Sequence, residues 1–220
     1  MVLEGDRSKA YEISAYDAHR RNSFKFLGHA DLFTNLLKYD RNTKFLNVRH
    51  PFSRLISAFR NKISGETPRI TQDRSFTDVA LHIVHKYRKG ARAKDFNVTT
   101  LRVTWDEWIQ YLTDPDELSR FDPHWREMYK LSLPCLVNYD LIAKLETVES
   151  DMEFLLDFLG LKHFHFPTFR PPYHRDGEDK VDLIQLYFGN MSTRHLQRLY
   201  DVYKLDFELF GYEKPVWLSL

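Results

Sequence analysis

The residues from Arg49 to Arg60 combine types and spacing that suit the binding of one phosphate or sulfate group. Arg49 follows the apolar stretch Lys44–Val48, which reads as a short buried strand, and Pro51 follows Arg49 by two positions. Proline suits the first turn of a helix, because its missing N–H has no partner there and its φ is already helical. A helix is therefore expected from about Pro51 to Ile63. At helical spacing Phe52, Leu55, Ile56, Phe59 and Ile63 fall on one side, leaving Ser53, Arg54, Ser57, Arg60 and Asn61 on the other. A strand-end arginine beside a helix N-terminus joins a guanidinium fork to the positive end of a helix dipole. Ser57, two turns in, adds a hydroxyl. On spacing alone a second reading is equally open, in which Arg49, Arg54 and Arg60 decorate a solvated helix face.

The elements that must position this segment are strands alternating with helices. Ala30–Tyr39 and Pro51–Ile63 carry amphipathic helical patterns, while Ser64–Thr100 is polar, helical only around Phe76–Val84, and reads as a surface excursion. Trp105–Leu112 is a helix opened by Thr104, with Glu107 at the capping-box position. Leu133–Tyr139 reads as a second buried strand, followed by a helix over Glu146–Leu159 that Gly160 closes. Residues 161–180 read as loop, and Ser192 caps a terminal helix that ends at Gly211. Such alternation predicts an α/β fold with a mostly parallel sheet.

Composition bounds the partners. The 220 residues favour a single domain over 1–220. Lys and Arg total 32 and Asp and Glu 31, so the chain does not hold polyanions by being basic throughout and any anion site is local. No apolar run spans a bilayer, and residues 1–6 lack the pattern of a signal peptide. Cys135 is the single cysteine, which excludes an internal disulfide and a cysteine-based metal cluster. The histidine pairs His82/His85 and His163/His165 have no further ligand spaced with them, so no metal is expected and all four read as structural or surface groups. The basic run Lys86–Lys94 has few interleaved aromatics, which argues against nucleic acid as a partner. Asn97 and Asn190 head acceptor sequons, which have meaning in a secreted or lumenal protein.

An Arg at a strand end, a Pro two residues later and a Ser eight residues later resemble the 3′-phosphate-binding motif of sulfotransferases. The likeness extends through Phe45–Lys62, Asp122–Trp125, Pro134–Asp140, Lys144–Thr147 and Leu199–Phe207. Together, in this order, these blocks are similar to the Golgi carbohydrate sulfotransferases of the chondroitin 4-O-, dermatan 4-O- and HNK-1 type. The resemblance implies a fold related to P-loop nucleotide kinases, with a central parallel sheet flanked by helices. It also implies 3′-phosphoadenosine 5′-phosphosulfate as donor, a sugar hydroxyl of a glycan or proteoglycan as acceptor, and the Golgi lumen as the place of work. Arg49 and Ser57 are then expected to hold the 3′-phosphate, and His50, Pro51, Phe52, Ser53 and Arg54 to wrap the nucleotide, with Arg60 in the same donor-binding stretch. The family's lysine-bearing 5′-phosphosulfate loop lies just upstream of a segment resembling Met1–Gly5, so this chain is expected to start after that loop and after any N-terminal membrane anchor. Two departures stand out: His50 replaces an acidic residue of many members, and Ser132 replaces the first cysteine of a pair ending at Cys135.

Sulfuryl transfer to an alcohol needs a base beside the hydroxyl, a task that suits histidine. His19 lies upstream of the 3′-phosphate motif, where related sulfotransferases often place their base. His124 matches the family's Asn-Glu-His-Trp block, with Asp122 and Pro123 in the first two places. His19 is the expected base and His124 a supporting or acceptor-side residue. The alternative to an enzyme is a non-catalytic sulfotransferase-like protein that binds anions or glycans, or an inactive fragment.

Overall fold

The computed structural model describes residues 40–64, 74–90, 101–166 and 183–218, together with Thr34 and Lys38. The chain divides into two compact units, Met1–Val48 with Pro134–Gly177, and Arg49–Leu133 with Glu178–Leu220.

In the first unit, strands β1 (Phe45–Val48) and β2 (Leu141–Lys144) pair in parallel, with Phe45 opposite Leu141 and Val48 opposite Lys144. Asp140 fixes that register, since its carboxylate accepts from Lys44 N at 2.7 Å and its own N–H donates to Lys44 O at 2.8 Å. The expected strand at Leu133–Tyr139 is therefore displaced to Leu141. Leu133 takes a left-handed conformation (φ 49°), which stops the preceding helix, and Pro134 has no N–H for a ladder. β1 is also less covered than expected, with Phe45 exposed. After β2, Asp151 accepts from Lys144 N and Thr147 Oγ1, each at 2.8 Å, and so ties the strand end to its following helix. That helix closes at Gly160 (φ 72°), as its sequence predicts.

The second unit is helical. In chain order its helices are α1 (Pro51–Ala58), which runs into a π-helical turn (Phe59–Ile63), α2 (Arg74–Tyr87), α3 (Trp105–Leu112) and α4 (Met128–Ser132). The first unit's helix that follows β2 comes next as α5 (Val148–Phe158), and α6 (Leu183–Phe188) and α7 (Thr193–Leu209) return to the second unit. Pro51 opens α1, and Thr104 caps α3 in a capping box: its hydroxyl accepts from Glu107 N at 3.3 Å while Glu107 Oε2 accepts from Thr104 N at 2.9 Å. α2 corrects the expected surface excursion, because Phe76, Ala80, Ile83 and Val84 are core residues. The centre of this unit is aromatic. Phe52 stacks on Phe188 at 4.6 Å, and Trp125 meets Trp108 edge-on at 5.2 Å, both within the range that rewards ring pairs. The helix expected over Ala30–Tyr39 lies outside the described residues apart from Thr34 and Lys38, both helical.

Candidate functional site

An open cleft of about 490 Å³ in the second unit is lined by Arg49, Arg54, Ser57, Ala58, Asn61, Lys62, Pro123, His124, Met128 and Leu131. Three of these side chains are cationic and none is acidic. Arg49 reaches the cleft because the chain leaves β1 immediately before it, and Ser57 because it lies on the polar side of α1. No acidic residue stands in the first turn of α1, and the side chain of its N-cap residue, His50, makes no capping hydrogen bond. A helix start without an acidic residue, beside a cluster of cations, is the environment an anion needs. The residues present therefore fit a phosphate- or sulfate-bearing ligand.

The opposite wall is the loop Asp122–Glu127. Asp122 Oδ1 accepts from His124 N at 2.9 Å and lies 2.6 Å from His124 Nδ1. A carboxylate at Nδ1 keeps the proton on that nitrogen and leaves Nε2 as the acceptor. The ring, which meets Phe76 edge-on at 5.4 Å, is otherwise exposed to the cleft. An imidazole in this tautomer can take a proton from a hydroxyl placed against Nε2.

Arg54 links the two walls. Its Nη1 donates to Arg126 O at 2.7 Å and its Nη2 to Pro123 O at 2.6 Å. Burial pushes its guanidinium below the ordinary value, while Tyr203, Asp206, Glu127 and Asp122 act in the other direction. The residue is part of the cleft lining. Asp206 lies in the same buried region; burial pushes its carboxyl up, and hydrogen bonds from the Met128 and Tyr129 amides pull it the other way.

The expected site residues thus separate. Arg49, Arg54, Ser57 and His124 line one cleft. Arg60 is exposed and outside its lining, because the π-helical turn, closed by Ser64 N on Phe59 O at 2.8 Å, carries more residues per turn than an α-helix and brings Asn61 and Lys62 to the cleft instead. Phe52 is wholly buried, Pro51 is buried, and the His50 ring sits edge-on against Phe207 and Tyr212, each at 5.3 Å. None of these three residues lines the cleft. Ser53 is half-buried and outside the lining, and His19 lies outside the described residues. Asn61, placed by helical spacing on the polar face, does line the cleft, whereas Lys62 is not singled out by the sequence although it lies in the block that carries the resemblance, and nothing in the sequence points to Met128 and Leu131.

Among the described residues no group of His, Cys, Asp and Glu is set to hold a metal ion, and no helix is long and apolar enough to cross a membrane. His82 is bound to Glu117 at 2.9 Å and His165 lies 3.4 Å from Glu153.

The cleft thus sets three cationic side chains and a histidine held by a carboxylate around one space that fits an anion. The chain belongs to the Sulfotransferase family, which it matches over residues 1–213. It is similar to carbohydrate sulfotransferase 9 of Homo sapiens, 34% identical over 98% of this chain and 47% of that protein. It is 34% identical to carbohydrate sulfotransferase 11 of Mus musculus over 100% of this chain and 61% of that protein, and 37% identical to carbohydrate sulfotransferase 12 of Mus musculus over 81% and 42%. The chain spans about half the length of the curated relatives it matches. No solved structure matches it.

Proposed function

We propose that this chain carries the donor-binding and proton-removing parts of a carbohydrate O-sulfotransferase, with His124 as the base. The donor, 3′-phosphoadenosine 5′-phosphosulfate, supplies a sulfuryl group on a phosphate leaving group. Arg49 and Ser57 hold its 3′-phosphate at the start of α1, and Lys62 adds positive charge to the same wall. His124 Nε2 accepts the proton of the sugar hydroxyl as the new O–S bond forms and the old one breaks, while Asp122 stabilises the imidazolium. The relatives' names support a sugar acceptor, and the sequence resemblance makes it glycosaminoglycan-like or on a glycoprotein. A Golgi lumenal location and a P-loop-kinase-like fold of one domain are part of the same reading and rest on the sequence resemblance alone.

The observation that carries this reading is the 2.6 Å contact of Asp122 Oδ1 with Nδ1 of a histidine whose other face meets a cleft of cations. On this observation the role of base is given to His124, while His19 lies outside the described residues. The test is transfer of labelled sulfate to desulfated glycans by the wild-type chain and by His124→Ala, Asp122→Asn and His19→Ala, with binding of adenosine 3′,5′-bisphosphate followed in parallel. His124→Ala should lose about 10²- to 10⁴-fold in turnover at unchanged bisphosphate affinity. Asp122→Asn should lose less, and His19→Ala should stay active. Full turnover without His124 would refute the assignment, and bisphosphate binding without any wild-type transfer would favour the non-catalytic alternative.

A further inference from the structure

The loop that carries His124 has no helix or strand of its own between Asp122 and Glu127, yet three side chains distant in sequence hold its backbone. Arg54 takes the carbonyls of Pro123 and Arg126. Tyr203, wholly buried on α7, donates its hydroxyl to Trp125 O at 2.6 Å. Asp206, one turn further along α7 and 2% exposed, accepts from Met128 N at 2.7 Å and Tyr129 N at 2.8 Å. The carbonyls on either side of His124 and the first amides of α4 are therefore fixed by groups outside the loop. A hydroxyl and a carboxylate inside an aromatic core are costly unless bonded, so apolar residues of the same shape would pack α7 more cheaply. What these two polar groups add is a fixed loop.

We propose that Tyr203 and Asp206 are positioning residues for His124, setting the distance and direction of its imidazole across the cleft. This rests on the reading of His124 as base. Catalytic groups must be held to within about 0.5 Å, and a misplacement of about 1 Å can cost about 10²-fold in rate.

The test uses the whole chain, with Tyr203→Phe, which removes one oxygen, and Asp206→Asn, which keeps the shape. Long-range proton–nitrogen NMR of the His124 ring reports its tautomer without any turnover. Wild type should show one tautomer, protonated at Nδ1. Each variant should mix the tautomers and lose about 10- to 100-fold in kcat, with both KM values within about twofold. Leu196→Ala, which thins the packing of the same helix without removing a hydrogen bond, should leave the tautomer as in wild type. An unchanged tautomer and unchanged kcat in either folded variant overturns the proposal, and if Tyr203→Phe does not fold, Asp206→Asn decides alone. A tautomer shift in a chain that transfers no sulfate leaves the positioning intact and refutes the enzyme reading instead.

Discussion

Arg49, Arg54 and Arg60 share a residue type and a short stretch of chain, and they differ in what surrounds each guanidinium. Arg49 lines the cleft at the helix start, Arg54 is spent on two carbonyls of the His124 loop, and Arg60 is exposed. Loss of a charged partner to a phosphate costs about 1.5 to 3 kcal/mol, so Arg49→Ala should weaken adenosine 3′,5′-bisphosphate by about 10- to 100-fold at an unchanged melting temperature. Arg54→Ala leaves the part-buried Arg126 carbonyl without its partner at about 1 to 3 kcal/mol, while water can reach the exposed Pro123 carbonyl, and should lower the melting temperature by about 3 to 8 °C. Arg60→Ala should change neither quantity. Calorimetry and thermal melts of the three variants separate these fates, and equal affinity losses at all three would reduce the site to general positive charge. Arg49 and Ser57 were legible in the sequence because their placement follows from one strand end and one helix. The fate of Arg54 was not, since helical spacing says nothing of carbonyls about seventy residues away.

Helices α2 and α3 are joined by ion pairs rather than by packing alone. Lys86 Nζ lies 2.6 Å from Glu117 Oε1 and 2.9 Å from Asp114 Oδ2, Tyr87 donates to Asp114 at 2.8 Å, and Arg88 grips Glu107 through two nitrogens. The hydrogen bond from Lys86, aided by Tyr87, holds the Asp114 carboxyl down at about 2. Burial pushes Glu117 up, but the bonds from Lys86 and His82 outweigh it and leave it below the ordinary range. An unfolded aspartate titrates near 3.9, so Asp114 contributes stability that is complete above about pH 4 and is lost as pH falls through about 2. The urea midpoint should therefore drop across that window, and less steeply in Asp114→Asn; identical slopes would show that the seam does not depend on this carboxylate. Local signals made most elements readable: Pro51, Thr104 and Ser192 start helices where expected, and Gly160 and Gly211 stand at positive φ where helices end. β2 was misplaced because apolar Leu133–Tyr139 looks like a strand, whereas pairing is decided by Asp140 and its partner Lys44, 96 residues away. α2 is legible only around Phe76–Val84, because the polar and basic residues on either side mask how much of it belongs to the core.

The two units differ in how much apolar surface each buries among the described residues. In the second unit α1, α2, α3, α6 and α7 share one cluster that includes Phe52, Phe59, Trp108, Trp125, Tyr203 and Phe207. In the first, the buried cluster is Ala143, Met152 and Leu155, with Leu141, Val148 and Phe166 packed partly against it, while Phe154 and Phe158 on α5 are each 60% exposed. Buried apolar area is the main source of folding free energy, and opening free energies within one protein run from near zero to the global value. Native-state hydrogen exchange should therefore rank the amides by unit. Those of Leu55, Ile56, Tyr203 and Phe207 should exchange only through global unfolding, with the full denaturant dependence, whereas those of Ala143 and Leu155 should exchange through a smaller opening with a shallower slope. Because the cleft is built from α1, the Asp122–Glu127 loop and the start of α4, it belongs to the slower-opening group, and its residues should stay protected while β2 and α5 open. Exchange of Ala143 and Leu155 at the same free energy and slope as Ile56 and Tyr203 would show instead that the chain opens as one cooperative body.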